Sequence, residues 1–184
     1  MAVHSYGLLV TILAVCQQCS SWMTQYDQHF TITCPAGKTF KSIESIQDNY
    51  YEDRVWNFNC DVPPNGVNFT SCTWSGYRNE FDKPLDFQCG NDGIITGVES
   101  VNDNYYEDRK WSFQCCTATG YVVHACEDTS FVNAYDQPLN YRVPDGKVLR
   151  GVHSVHDNYY DDRIYKFNIC KLDPVDQTVH VVIG

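Results

Sequence analysis

The chain has 184 residues, with 23 Asp+Glu against 13 Lys+Arg and a formal net charge of −10. That balance excludes the basic face of a nucleic-acid binder and simple electrostatic docking to anionic lipid or sulfated glycan. A hydrophobic content of 43% is enough for a packed core, and ten cysteines in this length point to an oxidising compartment.

The first predicted element is a secretory signal over 1–20. Its apolar run, Tyr6 to Val15, has the length of a signal core. It is too short to cross a bilayer, which takes roughly 20 apolar residues. Small residues near Cys19 to Ser21 supply a cleavage site. Nothing downstream reads as a transmembrane helix, so the expected product is a secreted domain, 21–184, that does not span a membrane.

Three copies of one unit follow. QDNYYEDRVWNFNC runs from Gln47 to Cys60, NDNYYEDRKWSFQC from Asn102 to Cys115 and HDNYYDDRIYKFNI from His156 to Ile169. Tyr26-Asp27, Phe81-Asp82 and Tyr135-Asp136 open the units, which are placed at 26–60, 81–115 and 135–169. Within each, alternate positions carry the large residues: Arg54, Trp56, Phe58, Cys60; Arg109, Trp111, Phe113, Cys115; Arg163, Tyr165, Phe167, Ile169. Period two predicts strands. Residues 40–46, 94–101 and 148–155 are further strand candidates, rich in β-branched side chains. Turn signals such as Pro63-Pro64-Asn65-Gly66 recur, and no helical period is sustained. The predicted class is all-β: one disulfide-stapled domain with pseudo-threefold internal repeats, closed as a trefoil-like or prism-like barrel. Between the first two units, the sequon Asn68-Phe69-Thr70 lies in a Pro/Asn/Gly-rich loop and marks Asn68 for glycosylation.

The repeats also predict the disulfides. Cys34 and Cys60 align with Cys89 and Cys115, and in the third copy both positions are aliphatic, Val143 and Ile169. Loss in pairs is what a bond inside each unit leaves behind, so the pairs are Cys34–Cys60 and Cys89–Cys115. Cys72 and Cys126 share the spacing of Cys116 and Cys170, giving Cys72–Cys116 and Cys126–Cys170. Each closes a loop of tens of residues, worth roughly 3–4 kcal/mol in the chain-entropy picture.

The candidate contact surface is the block before each Arg: Asp48, Asn49, Tyr50, Tyr51; Asp103, Asn104, Tyr105, Tyr106; Asp157, Asn158, Tyr159, Tyr160. Paired tyrosines offer rings to sugar faces, and three copies would give avidity. Arg54, Trp56, Arg109, Trp111, Arg163 and Tyr165 are assigned to structure. Each Arg is expected to stack on a core ring and to be neutralised by an acid such as Asp53, Asp108 or Asp162. Asp48, Glu52, Asp53 and their copies are oxygen donors of the kind Ca²⁺ takes, but the spacing is not that of an EF-hand. No metal and no cofactor is assigned. The histidines fall in no catalytic motif and the cysteines are paired, so no enzyme is expected. Lys38, Lys41, Arg142, Lys147 and Arg150 are proposed as a local basic patch for sulfated chains.

Asp53-Arg54-Val55-Trp56-Asn57-Phe58 and Asp108-Arg109-Lys110-Trp111-Ser112-Phe113, with the Cys115-Cys116 doublet and Cys72-Thr73-Trp74, resemble the dermatopontin family, its invertebrate members most. The resemblance implies a secreted extracellular-matrix or adhesion protein. Its expected partners are glycosaminoglycans, proteoglycans or other glycans, collagen or other matrix proteins, the cell surface, and further copies of itself. A soluble agglutinin in defence or self-recognition, and an acidic component of a mineralised matrix, are the alternatives.

Overall fold

The computed structural model describes residues 22–175, and the signal segment 1–20 lies outside them. Among the described residues there are eleven strands and one short 3₁₀ turn, Pro64–Gly66. The strands are β1 (Phe30–Thr33), β2 (Thr39–Asp48), β3 (Asp53–Asp61), β4 (Ser71–Tyr77), β5 (Leu85–Gln88) and β6 (Ile94–Asp103). They continue with β7 (Asp108–Thr117), β8 (Tyr121–Asp128), β9 (Leu139–Arg142), β10 (Lys147–Asp157) and β11 (Asp162–Pro174). The class is all-β, as the period-two pattern predicts. The long strands exceed their predicted spans because each ladder continues to the acid that closes the hairpin. The terminal pairs are Asp48 with Asp53, Asp103 with Asp108 and Asp157 with Asp162.

The strands form three antiparallel sheets, in the orders β1-β6-β7-β4, β5-β10-β11-β8 and β3-β2-β9. Each sheet is built on one long hairpin, and each hairpin takes a short strand from a different repeat unit. β1 of the first unit pairs with β6 of the second, β5 of the second with β10 of the third, and β9 of the third with β2 of the first. The units are therefore knitted together by backbone hydrogen bonds, and none completes its own sheet. The first strand of each hairpin carries a bulge at the same place, after Phe40, Ile95 and Leu149. A bulge bends the strand and increases its twist. In β10 the bulge is followed by Gly151, where a Cβ would meet the Phe87 carbonyl at 2.6 Å. Only glycine lets β5 approach that closely.

The sheets share one core. At its centre the rings of Trp56, Trp111 and Tyr165, one from each hairpin, meet edge to face, with centroids 5.1, 5.3 and 6.1 Å apart. That is the arrangement ring quadrupoles favour, worth about 0.5–1.5 kcal/mol per pair beyond burial. All three are at most 3% exposed. Their backbone N–H groups are taken by side chains outside the ladder: Thr24 Oγ1, Asn79 Oδ1 and Asn133 Oδ1 accept from Trp56, Trp111 and Tyr165.

The structure contains the disulfides Cys34–Cys60, Cys89–Cys115, Cys72–Cys116 and Cys126–Cys170. They fall into two kinds. Cys72–Cys116 and Cys126–Cys170 tie neighbouring strands of one sheet. Cys34 and Cys89 stand just beyond β1 and β5, on the sheets of β6 and β10, where their N–H groups donate to Thr96 and Arg150. Their partners lie in β3 and β7. These two bonds therefore join different sheets. At the third position Val143 N–H donates to Lys41 in the same way. There Val143 and Ile169, at 0% and 3% exposure, belong to the common core instead.

Candidate functional site

Each long hairpin ends in a four-residue loop with one sequence logic. Asp48 Oδ1 accepts from Tyr50 N–H at 2.9 Å, and its carbonyl accepts from Tyr51 and Glu52. Asp103 with Tyr105 and Asp157 with Tyr159 repeat the first bond at the same distance. This is an Asx turn, in which a short acidic side chain satisfies the backbone two residues on. The chain then reverses through left-handed Glu52, Glu107 and Asp161, with φ of +49°, +50° and +45°.

The loop geometry separates the two tyrosines of each pair. Tyr51, Tyr106 and Tyr160 lie flat on Tyr26, Phe81 and Tyr135, with centroids 4.6 to 4.9 Å apart. Tyr50, Tyr105 and Tyr159 stand edge-on to these rings at 5.0 Å and are 85–86% exposed. The aromatic residue that opens each unit is therefore the platform under its tyrosine pair. That stacking was not predicted from the sequence, although the recurrence of Tyr26, Phe81 and Tyr135 at one offset was its signal. Asn49, Asn104 and Asn158 are exposed beside the tips. Asn104 accepts from Asn102 at 2.9 Å.

Beneath the tips the structural residues form a ring. Arg54 holds Asp162, Arg109 holds Asp53 and Arg163 holds Asp108, each through two N–H···O bonds of 2.5–2.7 Å. All six residues are 3–4% exposed. Each Asp also accepts the N–H of the acid in its own unit's opening pair: Asp27, Asp82 or Asp136. Neutralisation by Asp53, Asp108 and Asp162 is as expected, but always by the acid of a different unit. Stacking on Trp56, Trp111 or Tyr165 is not what these arginines do. Their forks turn to carboxylates, and Arg109 lies over Phe30, 5.2 Å from its centroid.

Above this ring, Glu52, Glu107 and Asp161 bring one carboxylate oxygen each to within 4.8 Å of one another. A hydrogen bond with Glu52, desolvation and the charges of Glu52 and Asp161 push the Glu107 carboxyl up to about 7. Asp161 is raised too, by burial and then by Glu52. Three acids this close are relieved by a shared proton, which the cluster takes up as the pH falls through about 7. Asp82, Asp108 and His156 also converge within 4.8 Å. Both oxygens of Asp108 are already taken by Arg163 there.

Three of the five cations expected to form a basic patch are paired with carboxylates. Lys41 and Arg142 pair with Asp145, and Lys147 with Glu127. Arg150 donates to the Cys89 carbonyl. Lys41, Arg142 and Lys147 are thus neutralised locally, and the partners of Lys41 and Lys147, 104 and 20 residues away, are not read from the sequence. Asn68 is exposed, in the loop that follows the 3₁₀ turn. No helix among the described residues is long and apolar enough to cross a membrane.

A family model described as Dermatopontin matches residues 24–174. Millepora cytotoxin-1 of Millepora dichotoma is 43% identical over 150 residues, covering 82% of this chain and 66% of that protein. The hemagglutinin/amebocyte aggregation factor of Limulus polyphemus is 36% identical over 174 residues, 92% of this chain and 98% of the relative. Dermatopontin of Biomphalaria glabrata is 36% identical over 145 residues, 78% of this chain and 95% of the relative. No solved structure matches the chain.

Proposed function

The chain belongs to the dermatopontin family, and we propose that it is a secreted, non-enzymatic adhesion protein whose three tyrosine tips contact glycans on matrix or cell surfaces. In this reading 1–20 is the signal peptide and Asn68 carries a glycan. The observation that carries it is the repeated tip: three rings at 85–86% exposure, each on a stacked platform above a buried ion-pair ring. A tyrosine held this way offers a large amphipathic contact at small entropic cost. One ring is a weak contact, and several on one rigid body bind by avidity.

Matrix assembly and cell agglutination use the same surface. The Limulus polyphemus relative, which is named as a hemagglutinin and aggregation factor and is covered almost end to end, favours the agglutinin role. Glycosaminoglycans, proteoglycans and collagen remain the proposed partners for the matrix role. The test is agglutination of erythrocytes by the mature protein. Tyr50→Ala should weaken it, and Tyr50→Ala/Tyr105→Ala/Tyr159→Ala should abolish it while leaving thermal stability unchanged. A triple variant that agglutinates like wild type would sink the proposal.

A further inference from the structure

A second surface, remote in sequence from the tyrosine tips, has its own chemistry. Between the outer strand β4 of one sheet and the outer strand β5 of the next runs a groove of about 460 Å³. That is within the roughly 300–1,000 Å³ of small-molecule sites. Ser71, Thr73 and Ser75 line one wall, on alternate positions of β4. Gln88 and Asn91 line the other. Among the described residues the side chains of Ser71, Thr73, Gln88 and Asn91 make no hydrogen bond within the protein, so their donors and acceptors face outward unspent.

The charge of the groove runs against that of the chain. No carboxylate lines it, in a protein of net charge −10, and its one cation is Arg78. Arg78 is exposed and has no carboxylate partner among the described residues. Its guanidinium sits over the Phe87 ring, 5.3 Å from the centroid. Stacking orients a guanidinium while leaving its fork of N–H donors free, and that fork matches a carboxylate in a bidentate fashion.

We propose that this groove binds a single terminal sugar bearing a carboxylate. Arg78 takes the carboxylate, the hydroxyl and amide walls take the ring hydroxyls, and Phe87 backs the site. One guanidinium suits one anion, whereas a sulfated polymer calls for a row of cations. A peptide strand is disfavoured because β4 is bulged between Trp74 and Tyr77, with Gly76 at φ +67°. A bulged edge does not template a further strand. The site stands apart from the tyrosine tips and does not depend on them.

The test is titration of the mature protein with sialyllactose, lactose, a chondroitin sulfate oligosaccharide and an acidic peptide, followed by calorimetry or amide shifts. Sialyllactose is expected to bind and to shift Gln88 and Asn91, and lactose is not. Arg78→Gln should weaken sialyllactose binding at least about tenfold, as losing a charge-assisted pair implies, with an unchanged melting temperature. Tyr50→Ala/Tyr105→Ala/Tyr159→Ala should leave it intact, which separates this site from the tips. No sialyllactose binding by wild type, or equal binding by Arg78→Gln, overturns the proposal. So does Arg78-dependent binding of only the sulfated chain or only the peptide.

Discussion

Arg109 and Asp53 are 56 residues apart and lie on different sheets, yet they meet fork to fork. Nε donates to Oδ1 at 2.6 Å and Nη2 to Oδ2 at 2.5 Å, with both residues buried. Asp53 follows the tip loop of the first unit, and Arg109 follows that of the second. Arg54–Asp162 and Arg163–Asp108 complete the circuit. The Asp-Arg dipeptide that marks each repeat therefore joins units to one another. This is why acid and base stay adjacent in sequence without pairing with each other.

Breaking one of these pairs strands a buried charge. Arg109→Ala is expected to cost about 3–5 kcal/mol. Arg109→Met/Asp53→Leu should cost much less than the sum of the single changes, because no charge is left alone. Urea unfolding with the disulfides intact, analysed as a double-mutant cycle, measures both. A single variant within 1 kcal/mol of wild type would show that the pair does not hold the units together.

The acid cluster makes stability depend on pH in a stated direction. The Glu107 carboxyl is raised from 4.5 to about 7 in the folded chain. Between those values the folded state binds more protons than the unfolded state, so stability falls as pH rises. The contribution is complete below about 4.5 and is lost as pH passes about 7. Wild type should melt lower at pH 8 than at pH 5. Glu107→Gln should flatten that slope and raise the melting temperature at pH 8. A wild-type profile flat over this interval would contradict the shared proton.

The third repeat offers an engineered staple. Val143 and Ile169 occupy the places of Cys34–Cys60 and Cys89–Cys115, whose Cα atoms are 5.6 and 5.7 Å apart. Val143→Cys/Ile169→Cys should form a bond between the sheets of β9 and β11. The expected gain is on the order of 3 kcal/mol, less the packing of the two aliphatics. Melting with and without reductant, checked by thiol titration, reads it. Free thiols in the oxidised variant would show that the third position cannot be bridged.

The two tyrosines of one tip should separate stability from adhesion. Tyr51→Ala removes a ring stacked on Tyr26 at 4.6 Å and should lower stability by about 0.5–1.5 kcal/mol beyond its lost burial. Tyr50→Ala removes an exposed ring and should leave the melting temperature unchanged while weakening agglutination. Equal stability losses in the two variants would argue against the platform arrangement.

Much of this was legible in the sequence because repetition supplies an internal comparison. Paired loss of Cys34/Cys60 equivalents identified disulfide partners that spacing alone leaves open. Alternation of Trp56 and Phe58 identified strands, and Asp-Asn-Tyr-Tyr marked the exposed loops. The platform under Tyr51 was missed because stacking joins residues 25 positions apart. The groove of Arg78 was missed because its walls come from the outer strands of two sheets.

The sequence by itself did not determine the outer strands β1, β4, β5, β8 and β9, but it determined the six long hairpin strands, the turn signals between elements and the identity of the bonded cysteines. These follow from local backbone preference, from the two-residue period of side chains and from correlated changes among the repeats. Only the tertiary structure decided which unit each short strand joins, which carboxylate each arginine meets and which cations stay free. Those choices depend on how sheets approach through space. A buried guanidinium accepts whichever carboxylate the fold brings to it, and no local preference records which one that is.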